Sequence, residues 1–427
     1  MFPHTPVRYV PAMATTVRQR LTGRAVVRDR DEEHRASTPL ELFFDLTYVV
    51  AVGRAASALH HQLAAGEVAH GVVGFATIFF AVWWGWMNFT WFASAHDSDD
   101  VPYRLLTFVQ ITGALVLAAG VTRAAEDQAF AVVVLGYVVM RLGLVGSWLR
   151  VARDQPSVRR RARRYAGALC GLQLVWIAWL AVPGSATIAT FVVLAGAELL
   201  LPMWAEAAGG EPVFHADHIE ERYGLFTIIL LGESILSATA GFQTAFDDGG
   251  LTTGLAAVGF GGLVIAFAAW WLYFDHPGHL APRPAVAFRW GYAHVVLFAS
   301  LAALGAGLHL AAEVVSGHGP ARTSALAVAV PAAGYLLGLV LVLVVSGATA
   351  LEVRVWPKVL GAVAVAALGA TASVPVTVVG TAVVMAGRGA AMVLDGAQPG
   401  DQASATSPSR SRHNPTDGPS PSSAGVA

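Results

Sequence analysis

The sequence predicts an all-α polytopic membrane protein of about twelve transmembrane helices. Three observations predict it. Only 13% of the 427 residues are charged and 55% are hydrophobic, against roughly 25% charge in a soluble chain. Twelve apolar segments run from about residue 40 to 394, most of them near the ~20 residues that cross a hydrocarbon layer. The basic residues fall almost entirely into alternate connecting segments, as the positive-inside bias requires.

Residues 1–39 hold Arg8, Arg18, Arg20, Arg24, Arg28, Arg30 and Arg35 without a core-forming pattern, and are expected to form a mostly disordered cytoplasmic arm. The first six spans are placed at 40–62, 71–93, 103–122, 129–149, 165–182 and 186–203. A cytoplasmic linker at 204–222 separates them from spans at 223–241, 254–274, 290–312, 323–346, 357–373 and 375–394. The last two are short, so an eleven-span count is the competing reading. Residues 395–427 are rich in Ser, Pro, Gly and Ala and read as a disordered tail. With the N-terminus inside, 23 of the 27 Lys and Arg residues lie on the inner side, only Arg123 and Arg322 lie outside, and Arg54 and Arg141 fall within spans. Both ends are therefore expected in the cytoplasm. The first apolar run starts too late for a cleavable signal peptide.

The two halves look alike. Trp83-Trp84 matches Trp270-Trp271, Gly136-Tyr137 matches Gly334-Tyr335, and Thr190-Phe-Val-Val-Leu-Ala-Gly matches Thr381-Ala-Val-Val-Met-Ala-Gly, in the same order. A six-plus-six duplication follows as an expectation, the two halves sharing one orientation because six is even.

Charge inside the spans marks the candidate site, since an ionisable group at mid-membrane costs on the order of 3 kcal/mol. Glu41 and Asp45 are four residues apart and share a helix face. Arg54 lies nine residues beyond Asp45, half a turn round the helix, so the three cannot face one neighbour. Aligning the halves on glycine sets Gly53-Arg54 against Gly232-Glu233 and predicts an Arg54–Glu233 pair between them. Arg141 is the second buried cation, with Glu198 as a candidate partner. Glu221 and Arg222 open span 7. The polar run His215-Ala-Asp-His218-Ile-Glu-Glu221-Arg222 is dense in potential ligands, but it matches no zinc spacing and reads as a loop before a helix. His60, His61, His294 and His309 read as hydrogen-bonded packing residues. Neither a metal site nor a cofactor is expected. The lone Cys170 excludes an intramolecular disulfide. The Trp83, Trp84, Trp86 and Trp91 cluster reads as core. Arg159–Arg164 reads as a loop beside anionic lipid headgroups, and a net charge of −1 implies no nucleic-acid partner.

Two motifs carry a family resemblance. Thr38-Pro-Leu-Glu41-Leu-Phe-Phe-Asp45-Leu resembles the opening motif of the bacterial low-temperature-requirement A family, and His218-Ile-Glu-Glu221-Arg222-Tyr-Gly-Leu-Phe-Thr-Ile-Ile-Leu-Leu-Gly232-Glu233-Ser-Ile resembles its second. The aromatic second span and Glu198…Pro202 also fit, although the resemblance leads one to expect Asp at position 198. The resemblance covers about residues 36–394 and implies a multi-pass inner-membrane protein. It supplies no catalytic set. Buried charge alone therefore nominates Glu41, Asp45, Arg54, Arg141, Glu198, Glu221, Arg222 and Glu233, and favours a secondary transporter or ion-coupled permease acting on a small solute or ion. The alternatives are an intramembrane enzyme, for which Ser234 lacks an evident base, and a structural or sensory protein. No phosphate-binding loop is present, which argues against pumping by ATP hydrolysis in this chain.

Overall fold

A computed structural model of the chain describes residues 23–25, 35–209, 214–275, 280, 284–347 and 355–396. These form twelve α-helices and no strand. They are α1 Pro39–Ala64, α2 Val68–His96, α3 Val101–Asp127, α4 Ala131–Asp154, α5 Arg159–Trp179 and α6 Thr187–Glu206, then α7 Ala216–Gly249, α8 Thr253–Phe274, α9 Pro284–Val315, α10 Ala321–Val345, α11 Trp356–Thr371 and α12 Val374–Gly396. Ten of them are long and apolar enough to cross a membrane. Of the other two, α11 has only 16 residues, and α5 opens on a run of arginines.

Helix starts follow local chemistry. At α1, Thr38 Oγ1 accepts from Glu41 N while the Glu41 carboxylate accepts from Thr38 N, a capping box with Pro39 in the first turn. Asp100 and Thr252 cap α3 and α8.

Small residues set the closest helix crossings, as they do where lipid removes the hydrophobic drive between helices. A Cβ at Gly113 of α3 would sit 2.4 Å from Met140 N of α4, and one at Gly136 of α4 would sit 2.4 Å from Leu117 N of α3. In the second half, Gly307 of α9 closes on α10, where a Cβ would lie 2.1 Å from Ala327 O. Within each half, neighbours correspond: α1 packs on α3 and α3 on α4, while α7 packs on α9 and α9 on α10. Tyr137 donates to Ala81 O of α2 at 2.6 Å, and Tyr335 donates to Ala269 O of α8 at 2.5 Å.

The halves meet where α1 touches α7 and α9. Aromatic rings fill this seam: Phe44 stacks on Phe89 with centroids 3.8 Å apart, and Trp86 stacks on Phe226 at 4.2 Å. Trp83, Trp84 and Trp86 are core residues, at most 1% exposed.

Three boundaries differ from the sequence expectation. The helix expected at 223 begins at Ala216 and runs to Gly249. The polar run before it is therefore the first two turns of α7, with His218 and Arg222 buried against the acids of α1 and Asp217 exposed. The linker shrinks to the stretch between Glu206 and Ala216, of which residues 210–213 lie outside the described residues. Likewise Arg159–Arg164 is the opening of α5 and not a loop. Finally, the described part of the arm is anchored: Arg35 is buried, donating to Ser94 O and to Ala93 O at 2.8 Å, and Arg150 donates to Gly23 O at 2.7 Å. The rest of the arm, and the tail from residue 397, lie outside the described residues.

Candidate functional site

The predicted charges fall into two buried clusters and one separated pair. The first cluster joins α1 to α7. Arg222 Nη1 lies 3.0 Å from Glu41 Oε1, while its Nη2 and Nε reach Asp45 at 2.5 and 3.1 Å. His218 Nε2 lies 3.2 Å from Glu41 Oε1. Trp86 Nε1 donates to Asp45 Oδ1 at 2.7 Å. Arg222, Glu41 and Asp45 are 0% exposed, so these charges are compensated only by one another and by fixed dipoles. Glu41 and Asp45 meet Arg222 because a spacing of four stacks them on one face of α1, and His218 meets Glu41 because the same spacing stacks it with Arg222 on α7. Glu221 points elsewhere: its Oε2 accepts from Ser37 N at 3.0 Å.

The second cluster lies inside the first half. Arg141 Nη2 of α4 donates to Glu198 Oε2 of α6 at 2.7 Å. Trp84 Nε1 of α2 donates to the same oxygen at 2.8 Å, and Trp176 Nε1 of α5 donates to Oε1 at 3.1 Å. One carboxylate thus gathers four helices. Arg141 and Glu198 are 4% and 2% exposed. Four residues on, Pro202 sits inside α6. It has no N–H to return to the Glu198 carbonyl, so one backbone hydrogen bond of the continuous helix is missing at its charge.

Two cavities lie beside this cluster, and the Glu198 carboxylate lines the first of them. One of about 40 Å³ is walled by Phe80, Trp84, Phe130, Tyr137, Trp176 and Glu198, near the start of α4 and the end of α5. The other, about 60 Å³, is walled by Trp84, Asn88, Trp148, Tyr165, Pro202 and Glu206, toward the end of α2 and the start of α5. Trp84 is the wall they share. Each is large enough for a water molecule, and the surface of the first is apolar while the second offers polar groups as well. Glu206 closes the second, held by Arg161 at 3.0 Å and Tyr165 Oη at 3.1 Å. Around these spaces α6 packs its backbone mainly on α5 and is otherwise tied by side chains, including Tyr292 Oη to Leu199 O at 2.7 Å.

The Arg54–Glu233 pair does not form. Among the described residues no ion pair joins them, and Arg54 is exposed. The Glu233 carboxyl instead lies over Gly53, 2.6 Å from where a Cβ would stand. One residue on, the helix has turned by about 100°, which carries Arg54 onto the outward row of Leu42, Leu46 and Val50.

Some partners were not among the residues nominated from sequence. Glu206 carried a signal, since Glu198, Pro202 and Glu206 recur every four residues on one face of α6. The indole donors Trp84 and Trp176 carried none, because tryptophan in an apolar span reads first as packing.

Residues 36–390 match the bacterial low temperature requirement A protein (LtrA) family. The chain belongs to the LtrA family. A relative from Rhizobium meliloti (strain 1021), the uncharacterized protein RA0937, is 28% identical over 260 residues, which cover 59% of this chain and 61% of that protein. The alignment thus spans less than two thirds of the relative. The LtrA match takes in both buried clusters, from Glu41 to Arg222.

Proposed function

We propose that this LtrA-family protein is a secondary transporter or ion-coupled permease whose path runs through α2, α4, α5 and α6. The observation that carries the reading is the Trp84–Glu198–Arg141 cluster, in which Glu198 lines one water-sized cavity and Trp84 divides it from a second. A carboxylate held by three directional donors can exchange a proton or a small cation with the cavity it lines, and Trp84 stands between that cavity and the next. A backbone carbonyl left without its helical partner at membrane depth is tolerated where it lies beside such a space, which fits Glu198 and Pro202. The cluster on α1 and α7 is read differently. Its groups are ion-paired and wholly buried, which favours a lock between the halves.

The matched tyrosine-to-carbonyl bonds support a six-plus-six duplication. The distribution of arginine supports placement in the bacterial inner membrane with both ends cytoplasmic. On that side Arg160 and Arg163 are exposed. With Arg159, Arg164 and Trp204 they line an open recess of about 540 Å³, suited to anionic headgroups at about 1 kcal/mol per basic residue. Phosphatidylglycerol is therefore expected to raise the melting temperature of the purified protein more than phosphatidylcholine does. Arg160→Ala with Arg163→Ala should remove the difference. An unchanged difference would contradict the assignment.

The transport reading is tested with protein in liposomes that hold a trapped pH-sensitive dye, under an imposed potential and with sodium gradients. Glu198→Gln and Arg141→Gln, reconstituted at equal amounts of folded protein, are expected to lower flux at least tenfold, about 1.4 kcal/mol in barrier. Equal flux in the variants, or no wild-type flux under any gradient, would overturn it.

A further inference from the structure

The ends of α1 and α9 carry a side-chain cluster that the buried pathway does not use. His60 of α1 is 6% exposed. Its Nε2 lies 3.1 Å from Glu313 Oε2 of α9. One turn before Glu313, His309 places its own Nε2 3.6 Å from the other oxygen, Glu313 Oε1. The two imidazoles stack, with centroids 3.9 Å apart and planes 20° apart. Both rings therefore aim the same nitrogen at one carboxylate, each at a different oxygen. One ligand atom from each residue lies within 4.8 Å of the other two.

We propose that His60, His309 and Glu313 bind a divalent transition-metal ion, of the zinc, manganese or iron class, which clamps α1 to α9. Two imidazoles and a carboxylate form a mixed nitrogen and oxygen donor set typical of such ions. A tetrahedral ion about 2.0–2.1 Å from each donor needs donors roughly 3.3 Å apart. The spacings of 3.1 and 3.6 Å bracket that value. The scaffold is fixed for the purpose. A Cβ at Gly241 of α7 would stand 2.6 Å from His309 Cδ2 and 2.8 Å from its Cα, so only glycine lets α7 press against the ring. Beside the three donors, the His61 ring lies 5.4 Å from that of His60, and its Nδ1 is 3.4 Å from Glu126 Oε1 of α3. Because α1 comes from the first six helices and α9 from the last six, the ion would bridge the two halves at the end opposite the Arg222 cluster.

The test uses the full chain, purified in detergent, stripped with chelator and titrated with Zn²⁺ and with Co²⁺. One equivalent is expected by calorimetry and by elemental analysis, with Co²⁺ giving the visible absorption of a low-coordinate site. Protons should be released on binding, and affinity should weaken toward acid pH, because imidazole must be neutral to ligate. His309→Asn and Glu313→Gln are each expected to weaken binding by more than about tenfold, the loss that removal of even an outer-shell partner produces. His70→Asn should not, since that ring bonds to Glu126 O at 2.8 Å outside the cluster. No stoichiometric binding by the wild-type chain would overturn the proposal. So would binding that both cluster variants retain. The measurement does not depend on transport, so its failure leaves the Glu198 pathway standing.

Discussion

Arg222→Met is expected to leave the protein unable to hold its fold at growth temperature. The guanidinium answers two carboxylates at once, at 3.0 Å from Glu41 and 2.5 Å from Asp45, in a site with no exposure. Removing it strands both charges in a low-dielectric seam. Breaking a buried pair in this way costs about 3–5 kcal/mol, and here two acids are left facing each other. Glu41 keeps only neutral donors from Thr38 and the His218 imidazole, and Asp45 keeps the indole of Trp86. In detergent the unfolding temperature should fall by more than about 5 °C, if the variant can be purified at all. The double variant Arg222→Met with Asp45→Asn strands one charge fewer and should recover part of the loss. A melting temperature for Arg222→Met close to that of the wild type would show that the cluster is not what joins α1 to α7.

Much of this arrangement is readable in the chain. The apolar segments, the paired acids at 41 and 45 and the arginine at 222 follow from composition and from four-residue spacing, because a helix converts spacing into a shared face. Arg141 could be matched to Glu198 because few other charges lie inside the same six spans. The failures have a common cause. The sequence says which residues lie on one helix, but not how that helix is rotated against another. A glycine alignment set Arg54 and Glu233 at matching depth, yet Gly53 admits the Glu233 carboxyl directly and turns Arg54 outward. In the same way, a polar run from His215 to Arg222 reads as a loop until its partner on α1 is known, because polarity ends a helix only where nothing neutralises it. His60 and His309, 249 residues apart, carried no local sign that their rings would stack.

In the proposed pathway Trp84 stands between two cavities that lie toward opposite ends of α5, with Glu198 lining the first. The most direct measurement is side-specific reaction of single cysteines with silver ion, which is small enough to follow water, in vesicles of known orientation. The background is Cys170→Ser, since that thiol is exposed. Val134→Cys places a thiol in the cavity near the start of α4, and Ala95→Cys places one in the cavity near the end of α2. Each is expected to react from one face only, the two faces being opposite, and both faster than Ala114→Cys, at a packed position only 1% exposed. Reaction of both thiols from the same face, or reaction of neither faster than the packed control, would contradict the pathway.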